Sequence, residues 1–236
     1  LLILTYGGES TVWGGQEKAI TPTNIQVKTQ SIYGSSDVTP CRVGNELFFA
    51  QRANRKIRAM SYYYTEDAYN SSDITTYSEH ITQSGITDMC YQQELDSVVW
   101  IVRNDGQLVS LTASKEQEVF AWARHLTDGL FQSVASIPSE NKDELYICVE
   151  RVINGQKKKY IELFCDDIFM DCFMELVSSE EDGSYSWDGL AHMEGKQVEV
   201  LTEKGLHKRL VVTNGKINTD GRYKKLIVGL PYITMI

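Results

Sequence analysis

Three carboxylates that lie close together in the sequence could support acid–base chemistry on a sugar. Asp88, next to Thr87, precedes Glu94 and Asp96 by only a few residues. Glycoside hydrolysis requires two carboxyl groups that flank the scissile bond, one as acid and the other as base or nucleophile. Carboxylates beside turns are more commonly surface groups, however. The sequence therefore keeps glycan hydrolysis as an alternative function and predicts no catalytic residue here.

A second short pattern, Ser179–Trp187, is similar to the Asp-box of sialidase propellers. Asp182, Ser186 and Trp187 follow one another in the order of that box, but Ser184 takes the place of its glycine. The pattern also occurs once rather than once per blade. It therefore favours an exposed turn over a glycan-processing site.

Metal binding and nucleophilic catalysis have little support. No two of the four histidines have the spacing of paired metal ligands: His80, His125, His192 and His207. The five cysteines are irregularly spaced, without a Cys-x-x-Cys pair, and indicate free thiols: Cys41, Cys90, Cys148, Cys165 and Cys172. The chain has no Gly-x-Ser-x-Gly elbow and no phosphate-binding loop. We expect no catalytic residue, no metal and no cofactor, and hence no enzyme.

Composition and charge restrict the class of protein further. The chain has 236 residues with 42% hydrophobic and 23% charged residues, and its net charge is −9. This composition is typical of a globular protein, whereas a nucleic-acid-binding surface needs clustered Lys and Arg. A negative wall along which DNA slides remains compatible with this charge. No apolar run approaches the roughly 20 residues that span a bilayer, so no membrane partner is expected.

The two ends of the chain are apolar. It begins within Leu1–Leu4, without an initiator Met, and it stops at Ile233–Ile236. Natural termini are usually polar and frayed. The sequence therefore predicts an excerpt from a longer polypeptide.

The elements that position these residues are predicted to be strands. Tyr, Val, Ile and Thr are abundant, and Gly-Gly, Asn-Gly or Asp-Gly turns separate apolar runs. Hairpin turns are predicted around residues 8, 54, 105 and 155, at intervals of about 50 residues. A period of this size with several strands per unit is typical of a propeller blade. A β-sandwich with recurring strands is the alternative.

The fold class is therefore all-β, with an incomplete β-propeller-like platform and a second, small antiparallel β domain. The propeller-like repeat domain is predicted over 1–165. An acidic linker or crossing segment follows over 166–189, because Asp and Glu crowd beside Ser and Gly there. Short strands separated by turn residues predict a small β-barrel or part of a sandwich over 190–236.

A run of tyrosines, Tyr62, Tyr63 and Tyr64, marks a candidate contact surface. Side chains of a strand alternate between its two faces, so at least one of the three rings should be exposed. Tyrosine is enriched at protein interfaces. The run therefore predicts part of a subunit interface.

Several strings resemble the tail nozzle family, also called tail tubular protein B, of short-tailed bacteriophages and prophages. They cover most of the chain in the order of that family. The closest matches are Gly85–Glu94 and Phe120–His125. The others, in chain order, are Leu1–Trp13, Thr21–Ile25, Gln30–Ser36, Val43–Phe49, Arg55–Arg58, Leu190–Lys196 and Val228–Tyr232. No single string is specific, and their collinear order carries the resemblance.

The resemblance implies a structural virion protein of the tail, made in the bacterial host cytoplasm. It implies a homo-oligomer, a hexameric ring below the portal and adaptor proteins, with tail fibres as further partners. DNA would pass through the ring during ejection without specific binding. The runner-up is a glycan-binding or glycan-hydrolysing β-propeller of the tail.

Overall fold

The structure is a computed structural model, and it describes residues 1–15, 19–114 and 119–232. It confirms the all-β prediction: these residues form small antiparallel sheets and one short 3-10 helix, Ala191–Met193. Within the same ranges, no helix has the length and apolar character needed to cross a bilayer. The apolar end predicted over 233–236 lies outside the described residues.

The chain divides into two compact units. Unit 1 contains Leu1–Leu126 and Phe131–Cys148, and unit 2 contains Thr127–Leu130 and Val149–Ile236. The boundaries predicted at 165 and 190 differ from this division. The units meet between Cys148 and Val149, within the long strand Asp143–Ile153. Each unit has its own buried apolar cluster.

Unit 1 contains three sheets whose strands follow one another in chain order. The first consists of β1 (Leu2–Thr5), β2 (Gly8–Trp13) and β3 (Gln26–Ser31). The second consists of β4 (Cys41–Val43), β5 (Glu46–Ala50), β6 (Ile57–Tyr63) and β7 (Ala68–Asp73). The third consists of β8 (Ile86–Gln92), β9 (Val98–Arg103), β10 (Leu108–Ser114) and β11 (Val119–His125).

The core of unit 1 lies on the central strands of the two four-stranded sheets. Phe48 of β5, Ile57 of β6, Ile101 of β9 and Leu111 of β10 are each at most 1% exposed. They belong to one cluster of buried apolar side chains. Central strands covered on both faces carry continuous apolar runs, which explains why β9 reads Val-Val-Trp-Ile-Val.

A further sheet contains β12 (Leu130–Pro138), β13 (Asp143–Ile153) and β14 (Gln156–Leu163). Asn154 and Gly155 connect β13 to β14, and both have positive φ, 51° and 75°. This is the geometry of the tight turn that Asn-Gly favours between antiparallel strands. The turns predicted around 8, 54 and 105 likewise lie between neighbouring strands, β1–β2, β5–β6 and β9–β10.

The remaining strands all belong to unit 2. They are β15 (Met170–Val177), β16 (Ser184–Trp187), β17 (Gln197–Thr202), β18 (Gly205–Leu206), β19 (Leu210–Val211), β20 (Ile217–Tyr223) and β21 (Lys225–Pro231). One sheet has the order β15-β21-β17-β18, with β19 also paired to β17, and β16 pairs with β20.

The acidic stretch 166–189, expected as a linker or crossing segment, contains the strands β15 and β16. β15 pairs with β21, and Leu176 packs against the apolar cluster of unit 2. Its acidic neighbour Glu175 is exposed and forms an ion pair with Lys225, 2.7 Å away. Most acidic residues of this segment lie in the connections outside its strands, and they gave it the composition of a linker: Asp166, Asp167, Glu180, Glu181, Asp182 and Asp188.

Candidate functional site

A groove of about 380 Å³ lies in unit 1, beside Tyr62 of the predicted contact surface. We call it the tyrosine groove. Its lining contains three aromatic, four polar and three aliphatic side chains: Trp13, Tyr62, Tyr69, Thr11, Lys28, Gln30, Asp67, Leu1, Leu2 and Val12. This volume is at the lower end of the roughly 300–1,000 Å³ of small-molecule sites.

The first sheet supplies one wall of the groove. Thr11, Val12 and Trp13 of β2 all line the groove; Val12 is buried, whereas Trp13 is partly exposed to solvent. Lys28 is the cross-strand partner of Thr11 on β3. Gln30 lies where the register of β2 and β3 shifts between Ser10 and Glu9, and it also lines the groove. The two paired strands thus bring an indole, an ammonium group and an amide to one groove.

The second sheet supplies the other wall. Tyr62 of β6 and Tyr69 of β7 are directly opposite each other in the register, and their ring centroids are 5.4 Å apart at 60°. Asp67 lies in the turn that joins these strands, with φ of 45°. The Tyr62 hydroxyl donates to Asp67 Oδ1 over 2.7 Å, and this hydrogen bond raises the pKa of Tyr62.

Hydrogen bonds connect the two walls. Gln30 Nε2 donates to Thr11 Oγ1 over 2.8 Å, while Gln30 Oε1 accepts from the Tyr69 amide over 3.1 Å. Lys28 Nζ donates to the Asp67 carbonyl oxygen over 3.2 Å. The amide of Gln30 is therefore engaged at both ends, and the geometry of the groove is fixed by the protein itself.

The aromatic and charged side chains of the groove are accessible from solvent. Tyr62 and Trp13 are 48% and 37% exposed, so each presents an aromatic surface to solvent. Asp67 and Lys28 are also exposed and carry opposite charges. A groove with apolar rings and a few fixed polar groups is the usual composition of a ligand site.

The structure separates the three predicted tyrosines. All are exposed, with Tyr63 at 39% and Tyr64 at 88%. Only Tyr62 lines the tyrosine groove; Tyr63 follows it on the opposite face of β6, and Tyr64 lies in the turn. The interface predicted for these residues stays a prediction.

The carboxylates considered for glycoside hydrolysis occupy different environments. Asp88 accepts hydrogen bonds from two backbone amides, that of Met89 at 2.9 Å and that of Val134 at 3.0 Å. Glu94 and Asp96 are exposed in the connection between β8 and β9. Asp88 thus serves to hold β8 and β12, and the other two have the exposure of surface groups.

The Asp-box-like segment contributes to the core of unit 2. Trp187 is 4% exposed and belongs to the apolar cluster of that unit. Ser184 Oγ lies 2.7 Å from Ser178 Oγ, so its hydroxyl closes the local turn. Asp182 is exposed. These residues stabilise a strand pair and do not line the tyrosine groove.

Three of the four histidines have local hydrogen-bond partners. His125 Nε2 lies 2.8 Å from Ser110 Oγ, and burial lowers the pKa of His125. Ser110 is 8% exposed on the central strand β10. His192 donates to the Cys172 carbonyl, and His207 lies 2.7 Å from Asp220 Oδ1. In the described part of the chain, no three His, Cys, Asp or Glu side chains are grouped as metal ligands.

The sequence prediction missed most of the groove. Trp13, Lys28 and Asp67 belong to two different sheets, and they approach only when those sheets are formed. The one available signal was the tyrosine run, which pointed to Tyr62. Asp67 follows the three tyrosines within a few residues, so it could have been added to the predicted contact surface.

Comparisons with known proteins give little further information. No protein-family model and no curated protein match the chain. The solved structure of a luciferin-regenerating enzyme is similar to it with a TM-score of 0.38 and 17% identity, over 62% of this chain and 45% of that one. The match thus spans less than half of the enzyme structure. With a TM-score below 0.5, we infer neither activity nor substrate from this likeness.

Proposed function

We propose that this chain is a non-enzymatic structural part of the tail nozzle of a short-tailed bacteriophage or prophage. It would form part of the conduit through which DNA is ejected, below the portal and adaptor proteins. The observation that carries the proposal is the collinear series of strings that resemble the nozzle family from Leu1 to Tyr232.

The positions of these strings support a structural role. Gly85–Glu94 contains β8 and Phe120–His125 lies in β11, which are the two edge strands of one four-stranded sheet. Val43–Phe49 contains most of β5, and Val228–Tyr232 contains the end of β21. These strings lie mainly in strands that build sheets, and Arg55 and Gly85–Thr87 also line a second groove of about 330 Å³.

We infer that the sheets of unit 1 are propeller blades. Two consecutive sheets have four antiparallel strands in chain order, and each central hairpin recurs after about 50 residues. The first sheet and the sheet of β12–β14 have three strands each, which accords with an incomplete propeller-like platform. The small antiparallel β domain proposed over 190–236 would then be part of unit 2, which also contains β14.

A rigid wall with little affinity for DNA is what an ejection conduit needs. The net charge of −9 disfavours binding to phosphates. A hexameric ring, contacts with portal, adaptor and tail-fibre proteins, and a place in the virion tail belong to the same proposal.

Electron microscopy of the full-length protein that contains this chain tests the proposal. We expect hollow rings with a central channel wide enough for duplex DNA, into which this segment can be fitted. Separate monomers with a closed cleft, at concentrations where the native tail assembles, contradict a nozzle. Assays against host surface glycans would then examine the glycan-hydrolysing alternative.

A further inference from the structure

We propose that the tyrosine groove binds a neutral hexopyranose unit of a glycan. The inference rests on the side chains of the groove and is independent of the nozzle proposal. Binding at this site forms and breaks no covalent bond, so it assigns a recognition function and no catalysis.

The aromatic side chains suit the apolar face of a sugar ring. A pyranose presents several C–H groups on one face, and these pack on an aromatic ring through dispersion and weak C–H contacts. Tyr62 and Trp13 offer such surfaces, since about half of the former and more than a third of the latter are exposed. Tyr69, tilted against Tyr62, restricts the position of the Tyr62 ring.

The polar side chains suit the hydroxyl groups of the same ligand. Asp67 uses Oδ1 to accept from Tyr62, which leaves Oδ2 as an acceptor for sugar hydroxyls. Lys28 has three ammonium protons, of which one is directed to the Asp67 carbonyl oxygen. An exposed acceptor and an exposed donor thus lie at one edge of an aromatic surface.

The charges favour a neutral ligand over an ionic one. Lys28 and Asp67 are the charged side chains of the groove, and they carry opposite signs. A carboxylate or phosphate ligand would gain from Lys28 but would be repelled by Asp67. A hydroxyl group can donate to the carboxylate and accept from the ammonium group, so it satisfies both.

Ligand-observed NMR on the 236-residue chain tests the proposal. The probes are glucose, galactose and N-acetylglucosamine, with glucuronate as the charged counterpart. We expect saturation transfer from the protein to at least one neutral sugar, with no tighter binding of glucuronate. Binding should also change the fluorescence of Trp13, which is far more exposed than Trp100 or Trp187.

Asp67→Asn is the decisive variant. It keeps an acceptor for Tyr62, and asparagine tolerates the positive φ of this position, so the fold is retained. We expect about tenfold weaker sugar binding, because hydrogen bonds to a charged acceptor are the stronger ones. The matched control is Tyr64→Ser, which removes the neighbouring exposed ring outside the groove and should leave binding unchanged.

Three results overturn the proposal. The first is the absence of saturation transfer to all three neutral sugars. The second is binding of glucuronate more than about tenfold tighter than glucose, which would assign an anion site. The third is unchanged sugar affinity in Asp67→Asn, which would place the sugar elsewhere. None of these outcomes bears on ring assembly, so this test and the test of the nozzle proposal fail separately.

Discussion

Arg151 shows how one buried charge organises part of unit 2. Its side chain is 2% exposed and is held by the carboxylates of Glu162 at 2.7 Å and Asp171 at 3.2 Å. Arg151 also donates to the carbonyl oxygen of Asp128, and Thr127 donates to Asp171. Burial alone would lower the pKa of Arg151, but the hydrogen bond to Glu162 and the neighbouring acidic groups raise it overall. The guanidinium group therefore stays charged and connects β13, β14 and β15.

Arg151→Ala should destabilise unit 2 strongly. The substitution leaves two partly buried carboxylates without their cation, and breaking such a pair typically costs about 3–5 kcal/mol. We expect this decrease in the free energy of unfolding, measured by urea denaturation and tryptophan fluorescence, to which unit 2 contributes Trp187.

Arg209→Ala is the matched control for Arg151→Ala. Arg209 lies 2.6 Å from Glu199, but its side chain is 53% exposed. Because exposed ion pairs contribute at most about 1 kcal/mol, its loss should change the unfolding free energy little. If both substitutions lower the free energy of unfolding equally, burial is not the reason that the ion pairs of Arg151 stabilise the protein.

Strand connections show which parts of the fold can be predicted from local sequence. Asn154-Gly155 lies between two apolar runs, and its turn is the one that the dipeptide favours. β15 was not predicted, because it contains Asp171 and Glu175 and shows no regular alternation of buried and exposed residues. The tyrosine groove forms only where two sheets come together, and local sequence patterns do not predict which sheets do so.

Gly155→Ala tests the turn between β13 and β14. A methyl group at this position meets no atom within 4 Å, so the only cost comes from φ of +75°. Left-handed backbone costs roughly 1–2 kcal/mol for a residue with a Cβ atom. We expect a decrease of that size in the free energy of unfolding, followed by circular dichroism in urea.

Gly7→Ala separates this backbone effect from a general effect of alanine in a turn. Gly7 lies in the turn between β1 and β2, also in open space, and its φ is not in the left-handed region. Its substitution should change stability by less than about 0.5 kcal/mol. If both variants lose the same stability, backbone strain at Gly155 is not the cause.

At the scale of the whole chain, the net charge is strongly negative, whereas the tyrosine groove has no excess of negative side chains. The chain carries a net charge of −9, yet the tyrosine groove combines one cation and one anion with aromatic rings. Long-range repulsion acts on a polyanion such as DNA, whereas a neutral sugar responds only to the local groups. Exclusion of DNA and recognition of a glycan are therefore compatible in one protein.

The exclusion of DNA can be measured directly. At about 150 mM salt, non-specific DNA-binding proteins reach dissociation constants of about 10⁻⁴–10⁻⁶ M through Lys and Arg contacts with phosphates. We expect this chain to bind a short duplex more weakly than that range, with no retarded band in a gel-shift experiment.

The matched control replaces three exposed acidic residues by lysine, E180K, E181K and D182K, and so makes the net charge less negative by six. Because phosphate contacts depend on local positive charge, this variant should bind DNA more tightly than the native chain, and the gain should disappear at high salt. A retarded band with the native chain would mean that its surface attracts DNA despite the overall charge, and a freely sliding conduit wall would then be wrong.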